Sequence, residues 1–400
     1  MQKIFKNAIF ALLMVLMALP LLMEIKHPFR ESEMRADLIK PERPEVSIKA
    51  IATQEFQKKT EEYENNNFGF RKFLAKLKRS VNYLLFKDIS NSDQVAGRDG
   101  YIYGLSSVER NIGGRYYNGK EKNDSMTAKI NFIKETIEKK GGHFLAVIAP
   151  AKESVIPEKL PSGYDGDDKV HSDYDDLVEG YKKYNIPCID FCSYFKKIRP
   201  SCPYPLFTKT GYHWSMYGAS LVQDSLLSYV QDLVAVPIPQ YHRTGVEWTK
   251  KAPGSDADFE TQLNLFYSLQ SPLYVFPKLE MIQSSLNNYR PKVMVIGDSF
   301  FWTIKDLEKL QYIFSEDSKY LFYFKRSLPL TSDEGTELKN IDVMSELESA
   351  DLVILFSSLS SLGEFPYGFP DYYAANVAGR NIFECIRGNL KDTPSRFAAL

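Results

Sequence analysis

The sequence predicts a three-layer α/β/α domain built on a mostly parallel sheet. Two observations carry this reading. Short, nearly unbroken apolar runs recur as HFLAVIAP (143–150), IPCIDF (from Ile186), KVMVIGD (from Lys292), YLFYF (from Tyr320) and DLVILF (from Asp351). Strands that are apolar throughout belong to a sheet covered on both faces. The stretches between the runs are long enough for crossover helices, including a polar one expected around 126–140.

Composition agrees with a large core. The chain has 400 residues, 44% of them hydrophobic, and its 50 Lys+Arg against 51 Asp+Glu leave a formal charge of -1. No basic field is present to hold nucleic-acid phosphates, so nucleic acid is excluded as a partner class. The 25 Tyr and 26 Phe are spread along the whole chain, which favours core packing over a dedicated sugar-stacking cleft.

From the N-terminus onward, Lys3 and Lys6 precede the uncharged run AIFALLMVLMALPLLM (8–23), and Glu24, Glu31 and Glu33 follow it. This charge order places the N-terminus inside and the remainder outside a membrane. Residues 1–25 are therefore read as a membrane anchor or signal segment, and the lack of a small-x-small cleavage site favours the uncleaved, inner-membrane anchor. Residues 26–55, with Pro28, Pro41 and Pro44, read as a tether. The main domain is expected over 56–400. It opens with an amphipathic helix carrying Phe73, Leu74, Leu77, Val81, Leu84 and Leu85 at helical spacing. GRDGYIYG (97–104) follows as a tight turn feeding a short aromatic strand. Residues 241–278 fit no strand-helix alternation and read as an insertion. Cys188, Cys192 and Cys202 cluster, with Cys385 far away; a Cys192–Cys202 disulfide and buried free thiols both fit, and the spacing matches no zinc site. No metal and no cofactor are expected.

The chemistry is expected at the strand end of VMVIGDSF (293–300). In open parallel sheets, ligands bind beyond the carboxyl ends of strands. Gly297 permits close backbone approach, Asp298 caps or braces the turn, and Ser299 presents a hydroxyl that is either a nucleophile or part of an ordinary helix cap. A serine of ordinary pKa needs a base. Of five histidines, His213 stands out in TGYHWSMYGA (210–219), beside Trp214 and ahead of a helix capped by Ser215; packing against Trp214 is the competing role. Lys152 and Glu153, just past a strand end, line a cleft or a solvated loop. Arg71 anchors the N-terminal helix or meets an acidic sugar. Asp256 and Asp258, in GSDADFETQLNL (254–265), resemble part of a metal loop without the remaining ligands.

FGFR (68–71), GRDGYIY, IAPAKESVIPEKLP (148–161), TGYHWSMYGA and VMVIGDSF together resemble the landmarks, in order, of the SGNH-hydrolase-like family of alginate O-acetylation proteins, the AlgX/AlgJ type. The resemblance implies an exported or periplasmic O-acetyltransferase acting on an exopolysaccharide. Its implied partner is a membrane-bound O-acyltransferase that supplies acetyl, with Ser299 as nucleophile and His213 as base. The family pattern has Asp two residues before the histidine, where this chain has Gly211. A substitute acid, with Asp190 and then Asp173 as candidates, would preserve a triad. A Ser-His dyad, or an inactive glycan-binding or assembly component, are the other consequences. A carbohydrate acetyl esterase differs only in its acceptor.

Overall fold

The computed structural model describes residues 2–26, 42–67, 71–89, 93–112, 114–164, 171–269 and 273–377. They divide into two compact units, Met1–Ser92 with Phe259–Leu269, and Asp93–Asp258 with Gln270–Leu400. Of the features expected from the sequence, Phe68 to Phe70, residues 27–41 of the tether, and Cys385 lie outside the described residues.

The first unit is helical. Its helices are Gln2–Lys26, Ile48–Ala52, Glu55–Asn67 and Arg71–Phe86. No helix among the described residues is long and apolar enough to cross a membrane, so the expected transmembrane anchor is not shown there. In helix Arg71–Phe86 the buried side chains are Ser80 and Tyr83. Ser80 Oγ accepts from the Phe266 N–H at 3.0 Å, the Tyr267 hydroxyl donates to the Ser80 carbonyl at 3.3 Å, and the Phe73 and Phe266 rings meet at 5.1 Å.

The second unit holds the sheets. Strands β1 (Gln94–Ala96) and β2 (Ile102–Gly104) form a hairpin across the expected turn. Strands β3 (His143–Ala149) and β4 (Cys188–Asp190) come next, then β5 (Tyr241–Thr249) and β6 (Tyr274–Met281). The rest are β7 (Val293–Gly297), β8 (Lys319–Phe322), β9 (Arg326–Pro329), β10 (Thr336–Glu337) and β11 (Leu352–Ser358). The main sheet has the order β10-β9-β8-β7-β11-β3-β4, parallel from β8 to β4 and antiparallel at the β9 and β10 edge. Residues 241–278 are a separate antiparallel pair, β5 with β6, whose long connection carries Asp256 and Asp258.

Alternation along the strands sorts the core into two layers, because successive side chains leave a strand on opposite faces. Leu145, Val147, Val293, Val295, Ile354 and Phe356 pack on one face, against helices that also contribute to the site. Phe144, Ala146, Ile148, Met294, Ile296 and Val353 pack on the other. The second face is covered by α1 (Lys120–Lys139), through Ile130 and Ile133, and by α2 (Asp173–Lys183), through Leu177 and Tyr181. The first is covered by α3 (Phe191–Ile198), α4 (Met216–Val234) and α5 (Ser299–Lys305), through Phe191, Phe195, Leu226, Phe301 and Ile304. Cys188, Cys192 and Cys202 are free thiols, so Cys192 and Cys202 are not bridged.

Candidate active site

β7 delivers Ser299 to the carboxyl end of the sheet. Gly297 is required there by space: a Cβ would lie 2.9 Å from Phe356 Cβ and 3.2 Å from the Phe356 carbonyl on neighbouring β11. Asp298 is fully buried and caps α5, accepting from the Phe300 N–H at 3.0 Å. Its other carboxylate oxygen accepts from the Ser358 N–H at 2.7 Å and from the Tyr367 hydroxyl at 3.3 Å. One carboxylate therefore ties the end of β7 to the end of β11 and fixes the serine turn. Ser299 is the first residue of α5 and is partly accessible.

His213 approaches from the loop before α4. Trp214 anchors that loop: it is fully buried among Phe191, Phe195, Phe300 and Phe356, and its indole N–H donates to Thr303 Oγ1. Ser215 caps α4 by accepting from the Gly218 N–H at 3.0 Å and donates to the Pro205 carbonyl at 2.6 Å. The imidazole is thereby held with Nε2 2.9 Å from Ser299 Oγ. Tyr323, in a left-handed backbone conformation with φ 48°, places its hydroxyl 3.5 Å from the same oxygen.

The partner of the other ring nitrogen is Asp258. Its Oδ2 lies 2.7 Å from His213 Nδ1, and its Oδ1 accepts from the Tyr212 N–H at 2.5 Å. A carboxylate only accepts, so it places the ring proton on Nδ1 and leaves Nε2 to accept from the serine. The sequence reading saw Asp258 only as half of an incomplete metal loop. Among the described residues, no group of three or more His, Cys, Asp or Glu is arranged to hold a metal ion.

Asp190, expected as the orienting acid, is elsewhere. It ends β4, the far edge of the sheet, where its carboxylate caps α3 by accepting from the Cys192 and Ser193 N–H groups and also accepts from the Tyr174 hydroxyl at 2.7 Å. Asp173, the second candidate, accepts from the Asn118 N–H and from Asn123 Nδ2, both at 2.9 Å. Asp190 is occupied by the start of the helix it caps and Asp173 by Asn118, Asn123 and Arg110, and the imidazole has Asp258 as its acid partner instead.

Gly211 explains why the acid comes from so far along the chain. A Cβ at 211 would fall 2.5 Å from Thr208 Oγ1, 3.0 Å from the Asp256 carbonyl and 3.1 Å from the Ser255 carbonyl. The backbone of 255–256 occupies the space that a side chain at 211 needs. That close packing brings Asp258 under the imidazole.

Ionisable groups in the interior frame this arrangement. Lys152 and Glu153 are buried, not solvated. Lys152 Nζ donates to the carbonyls of Ile102 at 2.8 Å and Lys209 at 3.1 Å; burial pushes its pKa down to about 7, while the charge of Asp258 pulls the other way. Burial pushes Glu153 up, against hydrogen bonds from Ser107 and Asn111. Asp256 accepts from the Met216 N–H at 2.9 Å at the start of α4, and its Oδ2 has no partner among the described residues. Burial pushes Asp256 up to about 8, with the Met216 N–H opposing and Asp258 adding to the rise.

The family model for the SGNH hydrolase-like domain of the acetyltransferase AlgX matches residues 95–302, just over half of the chain and a span that includes His213, Asp258 and Ser299. The chain belongs to this family. Its central sheet is thus that of an SGNH-hydrolase-like domain. Solved structures similar to it include the O-acetyltransferase domain of Pseudomonas putida AlgJ, 16% identical over 74% of this chain and 98% of that one, with a TM-score of 0.45. Pseudomonas aeruginosa AlgX is 13% identical over 71% and 68%, with a TM-score of 0.43. Bacillus cereus PatB1 with a sulfonyl adduct is 13% identical over 68% and 96%, with a TM-score of 0.41. No curated protein matches the chain.

Two stability predictions follow from the packing around Gly211. Gly211→Ala pushes a Cβ into the 255–256 backbone and lowers stability by about 1–3 kcal/mol in denaturant unfolding; Gly211→Asp, despite restoring the family's residue, loses at least as much. Asp256 binds a proton in the native state between its usual 3.8 and about 8, where the unfolded chain does not, so its contribution is full below pH 4 and is lost as pH rises to 8. Asp256→Asn keeps the acceptor for Met216 and removes that loss. Unfolding at pH 5 and pH 8 should show a smaller decline for the variant, and higher stability than wild type at pH 8.

Proposed function

We propose that the chain is an extracytoplasmic O-acetyltransferase that moves acetyl groups onto hydroxyls of an exopolysaccharide through an acetyl-Ser299 intermediate. The observation that carries the reading is the continuous chain Asp258–His213–Ser299, with 2.7 Å and 2.9 Å contacts on the two ring nitrogens. Ser299 Oγ forms a bond to the acetyl carbonyl carbon as its proton passes to His213 Nε2, and His213 returns that proton to the departing oxygen of the donor. In the second half, a sugar hydroxyl gives its proton to His213 and attacks the acetyl carbon, and Ser299 leaves with the proton back on Oγ.

Asp258 stabilises the imidazolium formed in each half. Oxyanion charge falls near the start of α5. There the Phe300 N–H is taken by the Asp298 carboxylate and the Phe301 N–H by the Asp298 carbonyl, so the Ser299 amide is the helix-start donor nearest the hydroxyl. A membrane-bound O-acyltransferase is the proposed acetyl source, as the family resemblance implies.

The rival reading, an inactive glycan-binding component, drew its force from Gly211. Asp258 in contact with His213 supplies the missing acid and weakens that argument. An acetyl esterase would use the same residues, with water as acceptor.

Intact-mass spectrometry of the protein after exposure to an activated acetyl ester should show one acetyl group, mapped to Ser299 and absent in Ser299→Ala and His213→Ala. Absence of the adduct in folded wild-type protein overturns the reading. Asp258→Asn should cut ester turnover by a factor on the order of 10⁴, as loss of the orienting acid does in other triads, while Asp190→Asn leaves it within about twofold of wild type, since it caps a helix remote from the ring. Acetylated sugar oligomer in place of free acetate then separates transferase from esterase.

A further inference from the structure

Backbone strain gathers in the turn between β8 and β9. The Phe322 carbonyl accepts from the Lys325 N–H at 3.0 Å, and the two residues inside that turn, Tyr323 and Phe324, sit at φ 48° and 52°. Turns with two positive φ values favour Asn-Gly or Asp-Gly, because a bulky side chain there crowds its own backbone. Two aromatics in those places persist only where the surroundings fix them, and such positions cluster at functional sites. Here the Tyr323 N–H donates at 2.8 Å to the carbonyl of Gly297, the last residue of β7. The Tyr323 ring is held between Phe322, with centroids 4.6 Å apart, and Tyr367, edge-on at 5.3 Å.

The turn delivers one group to the serine. Tyr323 is partly accessible, and among the described residues the hydrogen-bond partner of its hydroxyl is Ser299 Oγ at 3.5 Å. That is long for an O–H···O bond, whose usual range ends near about 3.0 Å, so the resting serine leaves the donor largely unused. His213 reaches the same oxygen at 2.9 Å. The backbone donors around the serine are occupied: the Phe300 and Ser358 N–H groups by the Asp298 carboxylate, and the Phe301 N–H by the Asp298 carbonyl. The Ser299 amide alone is a poor match for a full oxyanion, which is stabilised by several donors aimed where its charge develops.

We infer that the Tyr323 hydroxyl is a catalytic donor that completes the oxyanion site, donating beside the Ser299 amide to the acetyl oxygen of the tetrahedral intermediate. The inference rests on the acetyl-Ser299 reading. As Ser299 Oγ bonds to the acetyl carbon, the carbonyl π pair moves onto oxygen and Tyr323 donates a hydrogen bond to that anion, keeping its proton. The pair returns when the carbonyl re-forms and the donor oxygen leaves with the proton carried by His213. The same contact serves the attack of the sugar hydroxyl. The anionic oxygen lies two bonds from Oγ, so a hydroxyl 3.5 Å from Oγ stands within its reach without movement of the turn.

The test is the time course of acetylation by an activated acetyl ester, read by intact mass, for wild type and Tyr323→Phe, a change that keeps the ring and its neighbours. The maximal acetylation rate should fall by about 10²–10³, as on removal of one oxyanion donor. The ester concentration giving half that rate should stay within about twofold, and the pH profile should keep its shape, since the proton path through His213 is intact. A variant rate within about threefold of an acetylated wild type overturns the inference alone, as does a loss confined to the half-saturating concentration, which makes the hydroxyl a ground-state contact. A lower unfolding midpoint for Tyr323→Phe also overturns it, because the hydroxyl is then structural. Folded wild type that takes no acetyl overturns the acetyl-Ser299 reading and this inference with it.

Discussion

The site depends on the contact between Gly211 and the backbone of residues 255–256. With only a hydrogen on the Cα of residue 211, the Ser255 and Asp256 carbonyls approach where a Cβ would come within 3.1 Å of both. Two residues later Asp258 reaches His213 and the Tyr212 N–H together. Asp256, in the same segment, accepts from the first amide of α4, so the segment is pinned to the histidine loop from both ends. Orientation of the imidazole therefore rests on backbone packing as much as on the hydrogen bond to Asp258.

This explains how a site can keep its chemistry while an acid moves along the chain. A carboxylate two residues before a histidine reaches the ring through local loop geometry. One that comes from the β5–β6 connection reaches it only if tertiary packing holds the connection in place. The two solutions exclude one another here, because the side chain needed at 211 and the backbone of 255–256 compete for the same volume. The hairpin that looked like an insertion supplies an essential part of the proposed machinery.

The fold was legible from the five apolar runs because each strand of the parallel core is buried on both faces, so burial and composition carry the same signal. Ser299 and His213 were legible because strand-end and helix-cap chemistry is local: Gly297, Asp298 and Ser215 stand within a few residues of them. Asp258 was not, since its pairing with His213 spans 45 residues and its neighbour Asp256 invited a metal-loop reading. Asp190 misled for a related reason. A carboxylate at a strand end is as suitable for capping the next helix as for orienting a base, and only position across the sheet separates the two.

The interior charges show how much the site's neighbourhood relies on hydrogen bonding in place of solvent. Lys152 is held by two carbonyls and feels Asp258, Glu153 is held by a serine and an asparagine, and Asp298 joins two strands. None could remain buried without those partners, because an unpaired buried charge costs several kcal/mol. Such contacts are directional, so they leave the strand ends little freedom to shift. That rigidity holds Ser299 and His213 within reach on two separate elements: the serine is fixed by the sheet, and the histidine by Trp214 and by a hairpin connection that fits only beside a glycine.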